Sequence, residues 1–582
     1  MIGTDPNVPR GNILKLLINS MQRYTAHYKL IKDCLLDLCR CIAGSISLDE
    51  IKILVGGVIS PEVNVRTATL QAIDAEIDLT DFDFAEELWL ACHDELDENA
   101  ELAKSIWEEN ALEVHQDSAG KIIPFLEYMD KPLRAAAARS LAEAVRQFPG
   151  VFSNTLDTLQ GFYREKAKPI LPAYDEFGML RKVDNRDPWE FRSGIALAFK
   201  ELAPIFTSAR LVGFCAFLIE GGPLGDRNHT VREEMIEAAT AIIAAQGATH
   251  VEELMEVFER SLEGPDDGSE LRDRINEAVI ILYGALGRHL GSGDKRIPGV
   301  VDRLLATLST PSETVQYAVA ECLPPLIKAS RDKAPDYIKK LLDQLFTAKA
   351  YAARRGAAYG LAGVIKGRGI SALKDYRVMS ALRGAAENKK EPNARQGALF
   401  AYELLSLILG RLFEPYVIQI LPLLLQSFGD SVINVREACS DAAKVCFSSL
   451  SSYGVKVILP DLLEGLDEPA WRSKKGACET LGAMAYLAPH QLAISLPEII
   501  PPLTTVLNDS HKEVRAAANR SLKKFGEVIS NPEVKDVVDV LLKALSDPTK
   551  YTDDALDVLM KVSFVHYLDA PSLALVSSSQ TI

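Results

Sequence analysis

Apolar residues recur along this chain at three- and four-residue spacing, in runs broken by short polar turns, which is the period of amphipathic helices and not of strands. The stretch "VILPDLLEGLDEPAWRSKKGACETLGAMAYL" shows the unit. A first helix ends near Leu466, "DEPA" makes the turn, and a second helix starts near Trp471. One phrase then returns throughout: an apolar residue or Ala, next Arg or Lys, then small residues two to three places on. It anchors at Arg515, Lys474, Arg436, Arg395 and Arg354, which are 41, 38, 41 and 41 residues apart. Further back the anchor slot holds Gln316, Asn276, Arg232, Arg192, Arg134, a weak copy at Glu101, and Arg66. A period near forty predicts two-helix units that cannot bury their apolar faces alone and must stack.

Three units carry an aspartate six residues before the anchor: Asp226 with Arg232, Asp430 with Arg436, and Asp509 with Arg515. An aspartate in that turn can accept from free amides at the start of the second helix and from the neighbouring unit's arginine, a structural role that assigns it no catalysis. Together with proline in the first helix and Val435-Arg436 or Val514-Arg515 opening the second, the pattern resembles the HEAT repeat. Gln316, Asn276 and Glu101 depart from it. The resemblance implies an all-α fold, a right-handed α-solenoid of about 12–14 HEAT repeats. The interval from Arg134 to Arg192 is 58 residues, and its surplus falls in "EKAKPILPAYDEFGMLRKVDNRDPWEF". That stretch predicts a long ordered loop near 164–191, with Trp189 and Phe191 docking its end and Lys166, Lys168, Arg181, Lys182 and Arg186 available to a partner.

The chemistry of an enzyme is hard to find. No G-x-x-x-x-G-K-[ST] loop, G-x-S-x-G elbow or kinase motif set occurs, and nine histidines are scattered. "HDELDENAE" lacks the central glycine and spacing of a calcium loop, so it reads as a solvated acidic face. Nine cysteines form no metal-ligand spacing and read as reduced core residues. No catalytic residue, cofactor, metal or small-molecule substrate is expected. No signal peptide is visible at Met1, and no apolar run reaches the roughly 18 to 20 residues of a membrane span, so neither a membrane nor glycans at Asn228 and Asn519 are expected.

Charge is unevenly spread. The chain carries −16 in all, yet Asp74 to Val114 holds fifteen acids against one lysine, and Lys328 to Arg395 holds sixteen cations against six acids. Within the basic window, "YAARRGAAYGLAGVIKGRG" sets five glycines beside four cations, as a phosphate-cradling loop would. Its spacing says otherwise. Ala353, Gly356, Ala357, Gly360, Leu361, Val364 and Ile365 form one helical stripe, with glycines for close packing. Arg355, Tyr359, Ala362 and Lys366 fall on a second face, open to solvent or a partner, and Gly367 and Gly369 end the helix.

The same phrase, with "KKEPNARQGALFAYELLSLILGRLFEPYVIQILPLLLQSFGD" and "WRSKKGACETLGAMAYLAP", resembles the HEAT region shared by elongation factor three and the ribosome-associated activators of the general amino-acid control kinase. "HKEVRAAANRSLKKFGEVISNPEVKDVVDVLLKALSDPTKYTDDALDVLMKVSFVHYLDAPSLAL" is similar to the activators in particular, and no ATPase cassette is present. The resemblance runs from about residue 10 to Val576, densely from 270. It implies repeats over 1–269 bearing the acidic segment and long loop, elongation factor three-like repeats over 270–576, and a disordered tail at 577–582. Both ends open in mid-solenoid, as a fragment's would.

For function it implies a non-catalytic, cytoplasmic, ribosome-binding scaffold that senses stalled or collided ribosomes. Such a scaffold promotes activation of the starvation-responsive kinase of initiation factor two alpha. Its partners would be ribosomal RNA and ribosomal proteins and, in a full-length protein, the kinase and an ATPase cofactor protein; the kinase-binding segment is expected to be absent. The candidate ribosome contacts are Lys339, Lys340, Arg354, Arg355, Lys366, Arg368, Lys374, Arg377, Lys389, Lys390 and Arg395, because several neutralised phosphates give salt-steep affinity. Arg354 and Arg395 sit in anchor slots, which competes with that role, and for the others the competing role is a solvated face. The acidic segment should avoid RNA and suit a basic ribosomal protein. The alternative from another class is a nuclear transport receptor or adaptor holding a basic cargo.

Overall fold

The structure is a computed structural model that describes residues 8–75, 77–80, 85–169, 186–264, 269–448, 450–484 and 489–528. The predicted tail, the 529–576 repeats and loop residues 170–185, with Arg181 and Lys182, lie outside the described residues. Two compact units are present, Met1–His289 and Leu290–Ile582. Every described element is an α- or 3-10 helix. Counted as helix pairs among the described residues, the first unit holds seven hairpins, from Arg10–Arg23 with Tyr28–Ile42 to Val251–Leu262 with Glu270–Gly287, and the second holds six, from Ile297–Thr307 with Glu313–Ala329 to Pro489–Thr505 with Lys512–Val528. Each unit is an α-solenoid of HEAT repeats, and in most of the second unit consecutive second helices make the closest packing.

The anchor position explains the stacking. Arg66, Arg134, Arg192, Arg232, Gln316, Arg354, Arg395, Arg436, Lys474 and Arg515 are each the fourth residue of a second helix. Arg66 donates from Nη1 to the Ser60 and Pro61 carbonyls of its own turn at 3.0 and 3.1 Å, and from Nε and Nη2 to Asp94 of the next repeat at 2.6 and 3.3 Å. Arg192 reaches Asp226 at 2.7 and 2.9 Å, and Arg395 reaches Asp430 at 2.7 and 3.1 Å. Lys474 makes the same bridge to Asp509 at 3.0 Å. Gln316, a departure in sequence, keeps the geometry with a neutral amide that donates to the Leu308 and Thr310 carbonyls and across to Ala352. Glu101 and Asn276 fall fifth and seventh in their helices; Ala100 and Asp273 hold the fourth place, and neither can donate from its side chain as arginine does. Each aspartate also accepts the amide two residues on, Asn228, Val432 or His511, at 2.8 Å.

The Tyr351–Arg368 helix shows why small residues are needed. A Cβ on Gly356 would stand 1.7 Å from the Leu308 carbonyl oxygen, and one on Gly363 would stand 2.5 Å from that of Ala320. Gly367 lies inside the helix against Pro324, so it is a packing residue and not part of the terminus; Gly369, with φ +107°, is the residue beyond the helix end. The second face also differs from expectation. Tyr359 and Ala362 are buried, because this helix is wrapped by the second helices on either side and by its own first helix. Only Lys366 of that face is exposed.

The docking of the long loop's end is as expected. Trp189 lies under the Arg134 guanidinium at 5.3 Å, and buried Phe191 packs on Phe162. Six cysteines are buried, but Cys34 and Cys41 are exposed, outside the core expected of them. Pro392–Phe428 is long and apolar enough by composition to cross a membrane, contrary to the sequence expectation. It consists of two repeat helices separated at Gly410, where φ is +57°, and half of its apolar window is buried in the packing.

Two measurements test this packing. In urea unfolding, Gly356→Ala should lower the unfolding free energy by about 1–3 kcal/mol through overpacking, whereas Gly299→Ala, whose Cβ meets nothing within 4 Å, should raise it by about 0.5–1 kcal/mol. The ladder also makes a pH signature. Burial alone would raise the Asp430 pKa, but hydrogen bonds from Arg395 and the Val432 amide outweigh it and hold the carboxyl below its ordinary value. A depressed carboxyl contributes stability above its unfolded pKa and loses it as pH falls through the folded one. Asp430→Asn should therefore cost about 2 kcal/mol at neutral pH, and the gap to the parent should close below about pH 4.

Candidate nucleic-acid interface

Antiparallel helices sort each repeat's connections to two edges. Turns from first to second helix lie along one, and loops from a second helix to the next repeat lie along the other. In the second unit this sorting divides the eleven candidate cations.

Three of them belong to the packing. Arg354 is buried and donates to the Ala348 and Lys349 carbonyls at 2.9 and 2.8 Å and to Gln396 at 2.6 Å. Arg395 holds the Asn388 carbonyl and Asp430. Arg355 is the correction: its guanidinium is shared between Glu313, at 2.7 Å, and Glu403, at 2.9 Å, with the Phe400 ring 5.3 Å away. Burial would favour its neutral form, yet the two carboxylates overcome that and push its pKa up. A cation so paired has no charge to offer a phosphate.

The remaining eight lie in three places. Lys339 and Lys340 are exposed on the first helix Ala334–Thr347, with Lys340 3.8 Å from Asp302. Lys389 and Lys390 are exposed on the turn edge. Lys366, Arg368, Lys374 and Arg377 gather at the loop edge. Lys366 contacts Glu321 at 2.9 Å, Arg368 reaches the Tyr376 hydroxyl at 3.3 Å, and Lys374 and Arg377 have no acidic partner among the described residues. Arg377 holds φ +52°, a left-handed backbone at the start of the Val378–Ala386 helix.

The loop edge extends beyond the basic window. Loops 290–296, 330–333, 369–377 and 410–413 carry Lys295, Arg296, Arg331, Lys333, Lys374, Arg377 and Arg411 against Asp294, Asp332 and Asp375, seven cations to three acids. All seven cations are exposed. The facing turns 308–312, 348–350, 387–391 and 429–432 carry three of each sign, so they hold no net charge. Lys295, Arg296, Arg331, Lys333 and Arg411 were missed as candidates. Their signal was position alone, each lying just after a second helix. In the acidic segment, Asp94 and Glu95 are consumed by Arg66, at 2.6 and 3.1 Å. Among the described residues, no group of three His, Cys, Asp or Glu side chains is disposed to hold a metal ion.

Comparison with known proteins agrees with this architecture. The family described as "Stalled ribosome sensor GCN1, HEAT repeats" matches residues 74–288, and that described as "EF3 N-terminal HEAT repeat" matches 354–522. The eIF-2-alpha kinase activator GCN1 of Saccharomyces cerevisiae is 41% identical over 98% of this chain and 22% of its own length. The human stalled ribosome sensor GCN1 is 39% identical over 98% of this chain and 22% of its own length. Elongation factor 3 of Gonapodya prolifera is 28% identical over 41% of this chain and 22% of its own length. Among solved structures, karyopherin Kap121p bound to the SUMO protease Ulp1p aligns over 95% of this chain and 57% of that chain, with a TM-score of 0.41 and 13% identity, a level from which no argument follows. The chain therefore spans about a fifth of the length of the curated relatives it matches (22%), and it belongs to the GCN1 family of HEAT-repeat proteins.

Proposed function

We propose that this chain is a non-catalytic, ribosome-facing stretch of a cytoplasmic sensor of stalled ribosomes that promotes activation of the initiation factor two alpha kinase, and that the loop edge of its second unit meets ribosomal RNA. The observation that carries the proposal is the run of exposed cations in four consecutive loops, opposite a turn edge without net charge. Adjacent packed helices stand roughly 8–10 Å apart, so loops of successive repeats present cations at intervals a phosphate backbone can meet. Backbone contacts of this kind read no sequence, and they release counterions. The GCN1 relatives, named as a stalled ribosome sensor and an eIF-2-alpha kinase activator, support the same assignment. Partners of a whole protein of this type, the kinase and an ATPase cofactor protein, are part of the proposal and would bind elsewhere than this edge.

Co-sedimentation with ribosomes over a salt series tests it. Lys333→Glu with Lys374→Glu and Arg377→Glu should weaken binding and flatten the salt dependence by about one unit of slope per lost phosphate contact. Lys389→Glu with Lys390→Glu, on the turn edge, should change little. Equal loss from both sets, or no co-sedimentation at low salt, overturns the assignment.

A further inference from the structure

A polar cleft of about 420 Å³ opens on the outer surface of the second unit, between the first helices Val378–Ala386 and Glu414–Phe428. One wall is the stripe Ser380, Arg383, Gly384 and Glu387, and Gln419 stands on the other. Ile420 and Tyr402 line its floor, and Tyr402 comes from the second helix Pro392–Leu409 beneath.

Three observations there have no explanation in the packing. Tyr402 is fully buried, yet its hydroxyl has no hydrogen-bond partner. A buried hydroxyl left unpaired is destabilising, a cost normally removed by a partner. Arg383 and Glu387, one helical turn apart and both exposed, form no ion pair with each other or with any described residue. Nothing lies within 4 Å of a Cβ placed on Gly384, unlike Gly356, Gly363, Gly367 and Gly397, which press on neighbouring backbone. Gly384 therefore weakens its helix without serving a contact; its absent side chain leaves the cleft open.

The cleft offers several donors to an anionic group. Arg383 can offer a fork of N–H groups, Ser380 and Tyr402 hydroxyls, and Gln419 an amide, while Glu387 alone is ionised as an acceptor. Burial pushes the Tyr402 pKa up and outweighs the opposing pull of Arg383, with Glu387 adding a lesser push, so the hydroxyl stays a donor. We propose that this cleft is a docking site for an acidic segment of a partner protein, with an Asp or Glu carboxylate held by Arg383 and the Tyr402 hydroxyl. The exposed Arg383 guanidinium, which has no acidic partner among the described residues, supplies the charge that favours that occupant. Glu387, at the end of the stripe, accepts a main-chain amide of the same segment. The cleft lies on the helix faces and not on the loop edge, so the site stands or falls apart from RNA contact.

Fluorescence anisotropy on the full chain tests it. The probe is a labelled, acetylated and amidated octapeptide alternating Asp and Gly. Acetyl-trialanine with a free C-terminal carboxylate serves as unlabelled competitor, to separate side-chain from terminal carboxylates. Arg383→Gln should weaken the Asp peptide about tenfold, and Gly384→Leu should do the same by filling the cleft. Tyr402→Phe should weaken it about threefold while leaving the unfolding midpoint unchanged or higher, because the lost hydroxyl had no partner. Lys374→Glu with Arg377→Glu should leave affinity within about twofold. Binding unaffected by Arg383→Gln and Gly384→Leu, binding lost instead with the loop-edge pair, displacement by acetyl-trialanine in preference to the Asp peptide, or no binding of the Asp peptide at low salt would each overturn the proposal.

Discussion

The whole arrangement depends on a cation placed where a helix least welcomes one. The fourth residue of a second helix lies close to the positive end of that helix's dipole, and Arg66, Arg134 and Arg192 are there almost without solvent, at 1, 1 and 0% exposure. Although the Nε of Arg134 and of Arg354 finds no partner, such a charge depends on well-placed acceptors for most of its donors. The turn supplies them: carbonyls six and five residues back, as with Asp430 and Ser431 for Arg436 and Asp509 and Ser510 for Arg515. The next repeat supplies the rest, through Asp94, Asp226 or Asp430. One side chain thus shapes its own turn and fixes the register of its neighbour. A repeat without that donor, as where Ala100 takes the place, is held instead by apolar packing, such as the Trp89 and Trp107 rings with centroids 4.9 Å apart, and by other hydrogen bonds, such as those from Arg139 to the His93 carbonyl at 3.1 and 2.6 Å.

This constraint also explains which features could be found in the sequence. The period, the two-helix unit and the aspartate bridge were legible because the anchor recurs at nearly fixed spacing and only a few side chains can fill it. Gln316 was legible as a departure; that its amide performs the same bridging was not, because the outcome depends on a carbonyl one repeat away, that of Ala352. The glycines of Tyr351–Arg368 were correctly placed on a buried stripe, but the second stripe was misjudged. A period of 3.6 residues shows one apolar face; it does not show that a second helix is enclosed on several sides, so Tyr359 and Arg355 looked open when Glu313 and Glu403 already held them.

The candidate site was only half legible for a related reason. A count of charges in a window treats every arginine alike, whereas the fold assigns them different fates by their place in the repeat. Arg354 and Arg395 are spent on the ladder, Arg355 on two glutamates, and Lys389 and Lys390 sit among Glu387 and Glu391 at the turn. Loops that follow second helices are free of the ladder. That is why Lys333, Lys374, Arg377 and Arg411 keep their charge for solvent or a ligand, and why cations outside the window, such as Lys295, join the same edge.

The division of labour within each repeat follows directly. The turn edge is closed by its own chemistry: carbonyls, aspartates and anchor cations satisfy one another there, and a ligand entering would have to break a bridge between repeats. The second helices are enclosed by their neighbours and, in Tyr351–Arg368, tolerate no added methyl at Gly356 or Gly363. What remains available for contact is the loop edge and the outer face of the first helices. Both surfaces assigned to partners lie there, the cation run on the first and the cleft of Arg383 and Tyr402 on the second. A solenoid of this kind can change what it binds by altering loops and outer faces while the ladder is conserved within the chain from repeat to repeat, so stability and recognition draw on separate sets of residues.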